Sequence, residues 1–268
     1  MNDLAPAQAL QDLIRGISTD LDTCTPDKAP YRIRSRLITA ITRSDVLLES
    51  SELLLRQMRF APSERFLFRD RQSRFTLQLF CWAPKFGNLP HLHTNWTVSA
   101  VLAGSISVRK SSISKEDCQA SVPLLASAGE VGVLKPPQYH CLANHSSSES
   151  AVTFHVFPVD QAYHQETAEL DQPVKRIDSV GIVTLAKLAV RYKGRGHMDI
   201  LRHAFEVAGD HTKLELIKLL AQVDRREAVR LGTVLADQVG GADGDRLKGV
   251  LLRLEGDAGG GVRTKVGP

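Results

Sequence analysis

Three histidines carry the chemistry this sequence can be expected to perform. His91 and His93 stand two residues apart in His91-Leu92-His93, and His140 lies far downstream, after Pro136-Pro137-Gln138-Tyr139. On a strand, residues i and i+2 face the same way, so the first pair can aim both imidazoles at one point. A third imidazole from a distant strand would complete a three-nitrogen metal site. Neutral imidazole suits iron, zinc, copper and nickel. Three such ligands leave positions free on a six-coordinate ion, where a substrate and dioxygen could both bind. An isolated H-x-H can equally be two unrelated histidines, at the surface or in a core. Its surroundings argue for a site: a turn at Pro84-Lys85-Phe86-Gly87-Asn88 before it, a strand ending at Gly104 after it, and Asn144 four residues beyond His140.

These histidines need strands to hold them. Phe75–Trp82 alternates and is rich in aromatic and β-branched residues, which reads as a strand. Further strands are expected near Arg65–Arg69, Thr97–Leu102, Ser105–Arg109, Val131–Leu134 and Ala151–Pro158. Short strands at regular spacing with Gly, Pro and Ser turns predict a sandwich or barrel. The polar stretch Ser111–Gln119 is expected to be an exposed hairpin connection. Before the strands, Ala7–Ile14 and Arg32–Arg59 have helical spacing, with Ser44-Asp45 able to cap a second helix partway. After them, 178–192, 198–208, 213–223, 225–239 and 245–254 read as helices. The expected organisation is an N-terminal helical preface over 1–62, a barrel over 63–160, a helical module over 175–256 and a disordered tail over 257–268.

Length and charge narrow the function classes. A chain of 268 residues can bury a substantial core. No apolar run approaches the roughly 18 residues that span a bilayer, so no membrane partner is expected. The net charge of +4 is too small to imply nucleic acid, and the arginines between Arg32 and Arg74 read as a solvated face. The start of the chain lacks a basic segment followed by an apolar core, and Cys24, Cys81, Cys118 and Cys141 show no C-x-x-C spacing. Reduced thiols in a cytoplasmic protein are the expectation.

The central stretch resembles the cupin superfamily. Gly87, His91, His93 and Gly104 match its first motif, and Gly129, Pro137, His140 and Asn144 its second. Many cupins add a glutamate ligand four or five residues after the second histidine; Thr97 and Val98 occupy that window here. A three-histidine set without that carboxylate narrows the resemblance to the cysteine dioxygenase-like, or thiol dioxygenase, family. Phe80-Cys81-Trp82 is similar to the Cys-Trp that ends that family's strand before the metal loop. His93-Thr94-Asn95-Trp96 resembles the H-x-x-W of bacterial members, and Ala151–Phe157 the family's Ser-x-His-x-Tyr strand.

What this resemblance implies is a mainly β protein: a double-stranded β-helix, or jelly-roll, barrel with N-terminal helices and a C-terminal all-α module. It implies Fe(II) held by His91, His93 and His140, and a small thiol or amino-acid-derived substrate oxidised with O2. Arg65 falls where family members carry the arginine that pairs with the substrate carboxylate, a contact that suits a bidentate guanidinium. His155, with Thr153, would shape the surroundings of the metal. Phe157 stands where the family has tyrosine and Val98 where animal members have the crosslinking cysteine, so no crosslink can form; Tyr163 is a candidate replacement phenol. A three-histidine cupin with non-thiol chemistry and a non-catalytic small-ligand binder are the alternative expectations. The helical module is a candidate dimer surface.

Overall fold

The computed structural model describes residues 8–42, 44–60, 66–69, 74–158, 179–192 and 196–256. Arg65, Tyr163 and the tail 257–268 lie outside the described residues. Three helices open the chain: α1 (Gln8–Thr23), α2 (Ala29–Ile41) and α3 (Ser44–Phe60). Nine strands follow: β1 (Phe66–Arg69), β2 (Phe75–Trp82), β3 (His91–His93), β4 (Thr97–Ala103), β5 (Ser105–Ser111), β6 (Leu124–Ser127), β7 (Val131–Leu134), β8 (Gln138–Ala143) and β9 (Ala151–Pro158). A short helix, α4 (Lys115–Ala120), joins β5 to β6. Five helices close the described chain: α5 (Ser179–Tyr192), α6 (His197–Val207), α7 (Asp210–Ala221), α8 (Arg225–Val239) and α9 (Gly241–Gly256). None of the described helices is long and apolar enough to cross a membrane.

The strands form two antiparallel sheets, ordered β1-β2-β9-β4-β7 and β3-β8-β5-β6. Their pairings nest. β5 pairs with β6, β4 with β7, β3 with β8 and β2 with β9. A long hairpin of eight strands has thus been rolled up, which is the jelly-roll arrangement. The sheets face one another: Trp82 and Ala151 of the first pack against Ile106 and Leu142 of the second.

The first sheet is buried on both faces. Along β9, Val152, Phe154 and Val156 point outward into a large apolar core shared with the helices, while Thr153, His155 and Phe157 point into the barrel. Period-2 alternation with both faces covered produces the near-continuous burial of this strand. Helix α2 lies across β4 and β7, fixed by Arg34 Nε donating to Val131 O at 2.9 Å. Helix α3 is buried on nearly all sides through Val46, Leu47, Leu48, Leu53, Leu54 and Leu55. It meets α1, α2 and the sheet as well as α5 and α6.

The segment expected to be an exposed hairpin connection contains α4 instead. Ser114 caps that helix, its hydroxyl accepting from Asp117 N at 3.0 Å. Six residues are too few for a periodic signal, but this cap pattern is visible in the sequence. Three strands, β3, β6 and β8, also arise where no bounds were set.

Two glycines are dictated by geometry. A Cβ on Gly87 would lie 2.9 Å from Leu142 O, where the approach to the metal loop crosses β8. Gly104, between β4 and β5, has φ of +68°, which side chains rarely adopt.

Candidate metal centre

Strand β3 is only three residues long, and its pairing with β8 places His91 directly opposite His140. Alternation keeps His93 on the same inward face. The three rings converge: His91 Nε2 lies 3.1 Å from His93 Nε2 and 3.0 Å from His140 Nε2. His93 and His140 are buried, and His91 is half-buried at the rim. Among the described residues, this is the one group of three or more His, Cys, Asp or Glu side chains able to hold a metal ion, and it includes no carboxylate.

The donor set fits a metal on three counts. An octahedral ion with nitrogen bonds of about 2.1 Å sets adjacent ligands about 3.0 Å apart, and a tetrahedral one about 3.4 Å. Both measured edges match the octahedral spacing. His91 Nδ1 lies 3.0 Å from Leu89 O, a carbonyl that can only accept, so Nδ1 carries the proton and Nε2 presents a bare lone pair. Burial lowers the His91 pKa, and burial followed by the neighbouring histidines lowers that of His140 well below its ordinary value. Both rings are therefore held neutral, the form that ligates.

His93 is oriented from behind. Thr97 Oγ1 lies 3.1 Å from its Nδ1, and a hydroxyl accepting from Nδ1–H there would leave Nε2 free for a metal. Thr97 occupies the window in which many cupins carry a carboxylate ligand. The ring of Phe157 also lies parallel to His93, at 6.1 Å and 11°.

The opposite wall is built in rows across β2, β9 and β4. Register places Gln78 and Ser99 on either side of His155, and Phe80 and Val101 on either side of Thr153. His155 is 2% exposed. Its Nδ1 lies 2.7 Å from Ser99 Oγ and its Nε2 2.7 Å from Thr153 Oγ1. Trp82 Nε1 donates to the same Thr153 oxygen at 2.7 Å. Trp82 Nε1–H, the Thr153 hydroxyl and His155 Nδ1–H all find acceptors if Thr153 donates to Nε2 and Nδ1–H donates to Ser99. Burial, followed by the charges of His93 and His91, pushes the His155 pKa down to about 3. Both ring nitrogens are occupied by hydroxyls, so His155 reaches the triad through its π-face. It stacks on Phe157 at 5.4 Å and 7°, which places Phe157 between His155 and His93.

Several groups were not singled out by spacing. Lys110 on β5 pairs with His140 in the β5–β8 register, so His91, His140 and Lys110 stand abreast on the inward face. Its side chain is exposed. Gln138, opposite His93, lies on the same face. The signal for Lys110 was its alternation with the inward Ile106 and Val108. Asn144 ties the far side of the barrel together: its Nδ2 donates to Trp82 O at 2.9 Å and Glu149 O at 2.8 Å.

Sequence comparison finds no matching family model and no matching curated protein. Solved structures do resemble the chain. A cupin superfamily protein from Desulfitobacterium hafniense is 13% identical, covering 35% of this chain and 74% of its own, with a TM-score of 0.29. The polyketide cyclase RemF from Streptomyces resistomycificus is 21% identical over 36% of this chain and 63% of its own, TM-score 0.30. KdgF from a Halomonas species is 11% identical over 37% of this chain and 82% of its own, TM-score 0.30. Each covers little more than a third of the chain, and the jelly-roll assignment rests on the nested strand pairing.

Proposed function

We propose that this chain is a mononuclear non-haem Fe(II) dioxygenase that oxidises a small thiol or amino-acid-derived substrate bearing a carboxylate, with O2 as co-substrate. The donor set carries the reading: three imidazoles, adjacent nitrogens 3.0 and 3.1 Å apart, and no carboxylate among them. Such ligands leave the charge of a divalent ion uncompensated, which favours anionic co-ligands such as a thiolate. Bound Fe(II) would supply the dioxygen chemistry. The chain's own groups bind and orient. Lys110 offers a cation at the mouth for the substrate carboxylate; the residue expected in that role, Arg65, lies outside the described residues. Phe157 presents an apolar face beside His93, and Trp82, Ile106 and Leu142 fill the far end of the barrel and keep water from it.

Ferrous-loaded protein given air and a panel of carboxylate-bearing thiols should consume oxygen. No uptake with any of them removes the thiol reading. One observation favours a second reading, a three-histidine cupin with non-thiol chemistry or simple ligand binding: Phe157 has no hydroxyl to offer bound oxygen. Stoichiometric zinc or nickel in the isolated protein would support it.

A further inference from the structure

The inward face of the first sheet carries a buried hydroxyl with no partner among the described residues. Leu77 and Leu79 of β2 point into the core shared with the helices, so alternation turns Thr76, Gln78 and Phe80 into the barrel. Register sets Thr76 opposite Phe157. Thr97, one step along β4 from the Val98–Val156 pair, flanks Phe157 on its other side. This row is level with the ligand His93, whose ring lies 3.1 Å from Thr97 Oγ1 and stacks 6.1 Å from the Phe157 ring. It stands at the other end of β2 from Trp82, which packs with Ile106, Leu142 and Ala151. Thr97, Ser99 and Thr153 on this face lie within hydrogen-bond distance of histidine nitrogens. Thr76 is 1% exposed, and its Oγ1 has no such partner. Leaving a buried hydroxyl unpaired destabilises a fold, and valine would fill the same space without that cost. Ser50 and Ser150 share this state. Ser50 sits on α3, outside the barrel, and Ser150 beside Ala151 at the packed end. Of the three, only Thr76 is level with the triad.

We propose that Thr76 determines substrate specificity: its hydroxyl pairs with the amine of an amino-acid-derived thiol held beside His93. This rests on the metal-site reading and names a substrate group that the three histidines do not select. A carboxylate-bearing thiol has two anionic ends, and each has another partner: the ion for the thiolate, and a cation such as Lys110 for the carboxylate. An amine on the carbon between them is left over. Threonine suits it, because the hydroxyl oxygen offers two lone pairs to an N–H and carries no charge that would repel an ammonium. Buried from bulk water, that single hydrogen bond separates ligands more sharply than it would at a surface. A thiol acid without the amine leaves Thr76 unpaired, and a site built to bond an N–H discriminates against such an analogue on that ground.

Full-length protein loaded with cobalt(II) is titrated by calorimetry, with oxygen excluded, against cysteine and against 3-mercaptopropionate, which is cysteine lacking its amine. Thr76→Val should lower the preference for cysteine roughly tenfold, through weaker cysteine binding alone. Thr76→Ser keeps the hydroxyl and should retain most of the preference. An equal loss on both thiols, or a preference unchanged in Thr76→Val, overturns the inference while the metal-site reading stands. In the metal-free protein, Thr76→Val should melt about 2–4 °C above wild type, because it removes a buried hydroxyl that the fold leaves unpaired. A lower melting temperature would show that the hydroxyl serves the fold, and overturns the inference independently of any metal. Wild-type protein that binds no cobalt, or binds cobalt and neither thiol, removes the metal-site reading and this inference with it.

Discussion

Two side chains steady His93: the Thr97 hydroxyl beside Nδ1 and the parallel ring of Phe157. Thr97→Val keeps the shape of the side chain and removes the acceptor. Cobalt(II) or iron(II) affinity should then fall roughly 10- to 100-fold with little change in thermal stability, measured by metal titration beside a melting curve. Lys110→Met should raise KM for a carboxylate-bearing substrate roughly fivefold to tenfold, the worth of one partly exposed charge-assisted contact. Its kcat, and its KM for an uncharged analogue, should be nearly unchanged. A uniform loss on both substrates would assign Lys110 a structural role instead. The three ligands themselves were legible in the sequence because H-x-H and a distant histidine form a spaced pattern. Thr97, Ser99 and Lys110 were not recognised as site residues, because hydroxyls and lysines occur everywhere and only strand register reveals which of them face a metal.

Elements buried on both sides were the easiest to read. β2 and β9 occupy the bounds their alternation predicts, since apolar and β-branched residues line faces that are both covered. β6 was missed because it is an edge strand with little to bury: Leu124 and Leu125 are exposed, and pairing with β5 alone holds them. β8 was not delimited because two of its three inward positions are the polar Gln138 and His140, and Leu142 alone of them packs as an apolar residue. Among the helices, Glu227 of α8 joins two elements. It accepts from Arg230 Nε and Nη2 at 2.7 and 2.9 Å, and from Arg202 Nε of α6 at 2.8 Å. The hydrogen bonds of Arg230, then those of Arg202, hold its carboxyl near 2, below the ordinary 4.5. A depressed carboxylate stabilises the fold above its unfolded value and loses that effect as pH falls through the folded one. The stability difference between wild type and Glu227→Gln should therefore be full above about pH 4.5 and gone near pH 2, measured by urea melts across that range.

At the scale of the molecule, one apolar core runs from α1, through the outer face of the first sheet and around α3, into α5, α6 and α7. Among the described residues nothing in that path marks a seam where one part could melt alone. Differential scanning calorimetry of the metal-free chain should give a single transition with matching calorimetric and van't Hoff enthalpies; two resolved peaks would show that the helices unfold apart from the barrel. Composition and spacing correctly announced helices, then strands, then helices. The sharing of one core did not show in the sequence, because α3 reads as an ordinary leucine-rich helix until its neighbours on both sides are known.

The nested pairing has a consequence for how the chain is made. The second sheet, β3-β8-β5-β6, consists entirely of residues 91–143. It is complete before β9 has left the ribosome. The β2–β9 ladder, by contrast, joins Phe75 to Pro158 and carries the largest loop-closure cost of the four nested ladders. During synthesis the shortest hairpin should zip first and the outermost pair last. His91 and His140 would then meet on a half-built barrel still open to solvent, so an ion could be captured while the roof is missing and enclosed when β9 arrives.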